Sequence, residues 1–345
     1  VVDLIKPNPA DGSYSIRIPL NAGGVAVFAA NTGVSGAVSV SNNANLTGGL
    51  RGLGKDLFLG IHALNTSADG VTVVNSGDMY SQWGRGIFAK GAGGLVEVTN
   101  TGTLVLASEG LGLGAVNAFS RGPNGVAKIT NSGDITDKYK SMVLYAFGTE
   151  KAYVDNTGDL GTGKYDAIRI RAGNGVVVNS SGSAQGGYMG SGIWAYSDKG
   201  EVLITNEDLV SGGDSFDSSA DFRTAGVLAR ANTGLIDFEN TATGEVVGTS
   251  LGVYARAGVD SGGDTGSGNP GNVTVTTDGI VRSTGEDEKV RANAIFAQTA
   301  GAGAVTVTVG ATGLVKAENI DAENASLDPN GIYAAAENGQ LKIDN

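Results

Sequence analysis

One phrase, written over and over, limits this chain more than any other feature. It reads VTVVNSGDM from Val71, VEVTNTGTL from Val96, AKITNSGDI from Ala127 and AYVDNTGDL from Ala152. The common form is apolar-x-apolar-x-Asn-x-Gly-x-apolar. Taking the Asn as a register mark places it at Asn42, Asn75, Asn100, Asn131, Asn156, Asn179, Asn206 and Asn240, then at Thr277, Ala311 and Asn345, with 23 to 37 residues between marks. A second phrase keeps step with it: GIFA at Gly86, GIWA at Gly192, GVYA at Gly252 and GIYA at Gly331. Looser copies begin at Val27, Gly60, Leu144, Gly226 and Ala294. Each repeat therefore carries an Ile-x-Ala strand, a turn, a Val-x-Val-x-Asn strand and often a third strand such as LVL at Leu104. All alternate with period two, as strands with one buried face do.

Three short strands recurring at such an interval predict a solenoid, because one coil cannot bury its apolar face alone and must stack on its neighbours. The expected fold is all-β: a right-handed parallel β-helix of about eleven coils with three short strands each, right-handed because parallel crossovers are. At about 4.8 Å per coil, eleven coils span roughly 50 Å. The helix is expected over residues 24–345. Residues 1–23 depart from the repeat and contain Pro7, Pro9 and Pro19, which suit a cap or docking segment better than a central strand. Polar insertions near 211–221, 260–272, 285–291 and 316–330 are expected to project as loops. The last residues, LKIDN, stand at a register mark. The expectation there is a longer protein or a coil end covered by another subunit, since an uncapped solenoid end is a template for further strands.

The phrase itself has a physical reading. In VEVTN, Val96, Val98 and Asn100 share one strand face, so the Asn faces inward where the chain turns. Stacked coil on coil, its amide can donate and accept along the axis, as Asn ladders do. Asn42, Asn75, Asn100, Asn131, Asn156, Asn179, Asn206 and Asn240 are thus expected to form a structural ladder. The Gly two residues on is expected to supply a positive φ.

Composition narrows the function. A net charge of −12 is a poor match for nucleic acid, which needs clustered Lys and Arg. There is no Cys, so neither disulfide nor thiolate chemistry is available, and the single His, His62, excludes zinc sites built on several His. No apolar run is long enough to span a membrane. The acidic insertions offer oxygens that suit calcium, but no segment matches a calcium-loop pattern, so no cofactor is expected and calcium stays a lesser alternative.

The phrases VVNSGDM, VTNTGTL, ITNSGDI and VDNTGDL, with GIFA, GIWA and GIYA, resemble the passenger regions of bacterial autotransporters and related large surface adhesins. The resemblance covers the chain from about Gly24 and implies a parallel β-helix secreted to the bacterial surface, where it mediates contact. A passenger without Cys fits it, because a disulfide-locked chain would cross a narrow pore poorly. Enzymes also occur on this fold, and a polysaccharide-degrading activity is a minor alternative. The pattern of the pectin hydrolases, however, includes Asp-Asp and Gly-His-Gly, whereas this chain has no Asp-Asp pair and carries His62 in GIHAL. No catalytic residue is assigned.

Function is sought instead on the outward face of the Ile-x-Ala strands. Ile168-Arg169-Ile170-Arg171 fixes the parity, because burying both arginines would be very costly. Of the 22 outward positions, ten hold aromatic residues out of 21 in the whole chain, and four hold Arg. The candidate binding strip is Phe119, Tyr145, Phe147, Arg169, Arg171, Trp194, Tyr196, Arg230, Tyr254 and Arg256. Flat rings beside guanidinium forks suit sugar faces and anionic groups. The same pattern would also arise from a ladder that only stabilises neighbouring strands. The expected partners are a cell-surface glycan or protein, or copies of the chain itself joined through open coil ends into an extracellular fibre.

Overall fold

The computed structural model describes residues 3–4, 16–17, 25–48, 58–81, 84–106, 114–138, 142–213, 225–259, 270–284, 292–318 and 330–345. Among them there is no helix, and all strands outside the first two belong to three parallel sheets. The architecture is the expected right-handed parallel β-helix of about eleven coils. The chain divides into two compact units, Val1–Gly163 and Lys164–Asn345.

The first unit holds five coils. Its Ile-x-Ala sheet is built from Val25–Asn31, Phe58–Asn65, Gly84–Gly91, Val116–Ser120 and Leu144–Gly148. Its Asn sheet runs through Val38–Asn42, Val71–Asn75, Leu95–Asn100, Val126–Asn131 and Lys151–Asn156. The third sheet has short strands, among them Met79–Ser81, Leu104–Leu106 and Ile135–Asp137. Each strand pairs with the same strand of the next coil, and the register follows the phrase: Val96 faces Val71 and Ala127, and Asn100 faces Asn75 and Asn131.

The second unit holds six coils. Its Ile-x-Ala sheet is Ile168–Ala172, Ile193–Ser197, Ala225–Ala231, Leu251–Ala257, Asn293–Thr299 and Asn330–Ala336. Its Asn sheet is Gly175–Ser180, Glu201–Asn206, Ile236–Asn240, Val273–Thr277, Val305–Val309 and Leu341–Asp344.

Alternation decides what the coils enclose. Ile61, Ile87, Val96, Val98, Ile129, Ile135 and Leu144 are buried in the first unit, and Ile168, Ile170, Ile193, Ile204 and Phe238 in the second. Each such side chain contributes about 1.5–3 kcal/mol by leaving water. A stack of similar apolar layers therefore supplies the driving force without a helix or a disulfide.

Within the first 23 residues, Asp3–Leu4 and Ile16–Arg17 form an antiparallel pair, and the rest of that segment lies outside the described residues. Of the insertions, 214–221, 260–269, 285–291 and 319–329 also lie outside them.

Candidate functional site: an inner amide ladder and an outer aromatic strip

The Asn phrase builds the inner feature. In the first unit each amide nitrogen donates to the next coil's amide oxygen: Asn42 to Asn75 at 2.7 Å, Asn75 to Asn100 at 2.8 Å, Asn100 to Asn131 at 2.8 Å and Asn131 to Asn156 at 2.9 Å. The same nitrogen donates to the carbonyl two residues on, as Asn100 does to Gly102 at 2.9 Å. The backbone continues the stitch, since the amide of Thr101 donates to the carbonyl of Asn75 at 2.8 Å. Asn75, Asn100 and Asn131 are buried yet paired with an amide on both sides, which offsets the cost of taking an amide out of water.

The glycine of the phrase has a different role from the one expected. Gly77, Gly102, Gly133 and Gly158 do not adopt positive φ. They are needed because the turns stack closely: a Cβ on Gly102 would sit 2.2 Å from the carbonyl oxygen of Gly77, and one on Gly133 would sit 2.1 Å from that of Gly102.

Two register marks are corrected in the second unit. Asn179 is exposed and pairs with Thr205, while Ser180 is buried opposite Asn206. Strand alternation explains the shift, since Val176, Val178 and Ser180 share the inward face. The Ser180 hydroxyl donates to the carbonyl of Gly182 at 3.0 Å, the bond an Asn makes elsewhere. Likewise the position opposite Thr277 is Val309, not Ala311. Between these two, Asn206 donates to Asn240 at 2.9 Å and Asn240 to the Thr277 hydroxyl at 3.1 Å.

A further ladder was not expected from the sequence. The Asp78 amide donates to the Asn45 side chain at 3.0 Å, the Thr103 amide to the Asp78 carboxylate at 2.9 Å, and the Asp159 amide to the Asp134 carboxylate at 3.0 Å. Its signal is the acid closing NSGD and NTGD. Among the described residues no group of three or more acid or His side chains could hold a metal ion.

The outer strip follows the expected parity. Along the first unit, Phe28, His62, Phe88, Asn117 and Tyr145 occupy one register column, and Lys90, Phe119 and Phe147 the next. In the second unit Arg169 faces Trp194, Arg171 faces Tyr196, Trp194 faces Leu228, and Tyr196 faces Arg230. Leu228 then faces Tyr254, and Arg230 faces Arg256.

The strip is nevertheless not a row of open rings. Phe119, Trp194, Tyr196, Tyr254 and Arg230 are buried, while Tyr145, Phe147, Arg169 and Arg256 are half-buried and Arg171 is exposed. The ring edges of the first unit meet ring faces: His62 lies 5.4 Å from Phe28 and 5.0 Å from Phe88, and Phe119 lies 4.8 Å from Tyr145, all near perpendicular. In the second unit Phe296 is stacked between Tyr254 at 5.0 Å and Tyr333 at 4.8 Å. Trp194, Tyr196, Leu228, Tyr254, Ala225 and Leu251 form a buried cluster. Guanidiniums cover several rings: Arg169 over Trp194 at 4.5 Å, Arg171 over Tyr196 at 5.2 Å and Arg230 over Tyr254 at 5.4 Å. Such contacts are worth about 0.5–1 kcal/mol when exposed and more when desolvated.

Three titratable groups are shifted by this packing, Arg85 among them, whose pKa burial lowers. Burial lowers the pKa of His62, and the Arg85 charge lowers it further. Burial raises the pKa of Asp166, against the opposing pull of Arg169, 3.6 Å away, and of the Ser191 amide, which donates to it at 2.8 Å.

Comparison with family models, with curated proteins and with solved structures found no match. The fold is thus shown by the structure alone.

Proposed function

We propose that this chain is a non-catalytic extracellular bacterial surface protein of the autotransporter-passenger type, whose β-helix presents a contact face to a cell-surface glycan or protein. The observation that carries the reading is Arg171. It is exposed, lies over the Tyr196 ring at 5.2 Å and makes no ion pair with a described residue. An arginine held flat by a ring keeps its N–H edges for a carboxylate, sulfate or phosphate. The inner polar groups support the reading from the other side, because the Asn ladder is engaged in coil-to-coil bonds and the side chains left to face solvent are those on the outward faces of the sheets. The buried rings act as the bed on which the cations lie, more than as platforms for sugar stacking.

The test is retention of the purified chain on an immobilised acidic polysaccharide and on bacterial or host cells. The reading expects Arg171→Ala to lower retention with the far-ultraviolet β signal intact. Unchanged retention on every surface would sink it.

A second reading is a structural subunit joined coil to coil in an extracellular fibre, since three parallel sheets stacked strand on strand can pair with the sheets of another copy. Electron microscopy of the natural material separates the readings: filaments whose assembly is blocked by Ile343→Lys favour the fibre, and isolated particles oppose it.

A further inference from the structure

In the first unit, three stacked turns follow the Ile-x-Ala strands and leave an open groove of about 360 Å³. Its wall comes from Leu64 and Thr66 of one coil, Lys90 and Ala92 of the next, and Arg121 of the third. The turns sit this close because Gly122 has no side chain, since a Cβ there would overlap the carbonyl of Ala92. Strand register places Lys90 opposite Phe119, two residues before Arg121, so the two cations stand on adjacent coils.

Neither cation is neutralised by a described residue. Lys90 and Arg121 are both exposed, no acid lines the groove, and neither makes an ion pair with a described residue. Arg121 is instead oriented by the Phe119 ring, 5.5 Å from its guanidinium. Both cations line one groove, and on a chain of net charge −12 they make it locally positive. The turn amides cannot serve an anion, because those of Thr66, Ala92 and Arg121 already donate to the carbonyls of Asn31, Asn65 and Gly91. The groove therefore offers the charge of Lys90 and Arg121, the Thr66 hydroxyl oxygen, and an apolar wall at Leu64 and Ala92.

We infer that this groove binds an anionic sugar unit of an acidic glycan, with the carboxylate or sulfate between Lys90 and Arg121 and the apolar ring face on Leu64. The volume suits one or two sugar rings, near the lower end of small-ligand sites. A sugar matches the mixture of charge, hydroxyl and apolar wall. The site is separate from Arg171 and does not require the outer strip of the second unit to be a contact face.

The experiment is calorimetric titration of the full chain with a uronic-acid tetrasaccharide, a sulfated tetrasaccharide and a neutral tetrasaccharide of equal length. Binding is expected for one or both acidic sugars, at least tenfold weaker for the neutral one, and weakening as salt is raised. Lys90→Gln with Arg121→Gln is expected to lower affinity at least tenfold, whereas Lys90→Arg retains it and Lys151→Gln, on the Asn sheet of the same unit, leaves it unchanged. The uronate and sulfate arms identify which anion the site prefers. Equal binding of the neutral sugar, or acidic-sugar binding unaffected by the double substitution, would overturn the inference, as would no binding at all. Both side chains are exposed, and an unchanged melting curve of the variant confirms that lost binding is not lost fold. Acidic-sugar binding here without retention on cells would leave the groove standing and remove the adhesion reading.

Discussion

The amide ladders of the two units differ, and the difference shows what the repeat requires. In the first unit five asparagines, Asn42 to Asn156, are linked without a break. In the second the same column reads Ser180, Asn206, Asn240, Thr277 and Val309. The column thus tolerates loss of the amide but not of register. Where the residue shortens, a cost appears: the Asn206 side-chain oxygen is buried with no donor, because Ser180 bonds its own turn and does not reach it. Where the turn lengthens, the amide bends to it, as Asn240 donates to Gly244 four residues on instead of two.

The largest expected effect comes from the stacked glycines. Gly102→Ala forces a Cβ against the Gly77 carbonyl at 2.2 Å and should destabilise by about 3 kcal/mol. Gly161→Ala, also in the first unit but with no atom within 4 Å of its Cβ, should be neutral or stabilising by up to about 1 kcal/mol. Denaturant unfolding of the two variants measures the contrast, and equal effects would remove close turn stacking as the reason for the glycine.

Next come reciprocal amide changes. Asn100→Ala leaves the Asn131 oxygen and the Gly102 carbonyl without their donor and should cost about 2 kcal/mol. Ser180→Asn should instead gain about 1 kcal/mol by supplying a donor to Asn206. A destabilised Ser180→Asn variant would mean that the second unit's column lacks room for an amide there.

The smallest effects are on pH dependence, and they have opposite signs in the two units. The folded pKa of His62 is depressed, so its stabilising share is complete above the unfolded value of about 6.5 and is lost as pH falls through the window below it. Amide exchange of Phe58–Asn65 should accelerate there, and His62→Phe should abolish that change. The folded pKa of Asp166 is raised, so its charged form is disfavoured and its share improves as pH falls toward the unfolded value of about 3.9. Relative to Asp166→Asn, the natural second unit should therefore gain protection on acidification through that window.

Much of this was legible in the sequence, for a physical reason. A period-two phrase that repeats coil after coil encodes both the strand face and the pairing partner, so Val96, Val98 and Asn100 announce the core, the ladder and the register together. Asn179 misled because the residue type was followed where parity should have been, as Val176 and Val178 already pointed to Ser180. The burial of Trp194 and Tyr196 was not legible. Alternation says which side of a sheet a ring occupies, but not how side chains from neighbouring coils close over it. The groove at Lys90 and Arg121 was hidden likewise, since those residues are 31 apart in sequence and meet only through register.

Register is the central claim, and the absence of native Cys allows it to be measured directly. Glu97 and Lys128 are register partners on adjacent coils, with their charged ends 3.1 Å apart. Glu97→Cys with Lys128→Cys places the two Cα atoms about 4.8 Å apart, within disulfide reach, whereas Glu97→Cys with Thr130→Cys is about 8 Å apart and beyond it. Under mild oxidation the first pair should close rapidly and the second should stay reduced. Preferential closure of the second pair, or of neither, would contradict the stacking of Asn100 on Asn131 and with it the account of the repeat.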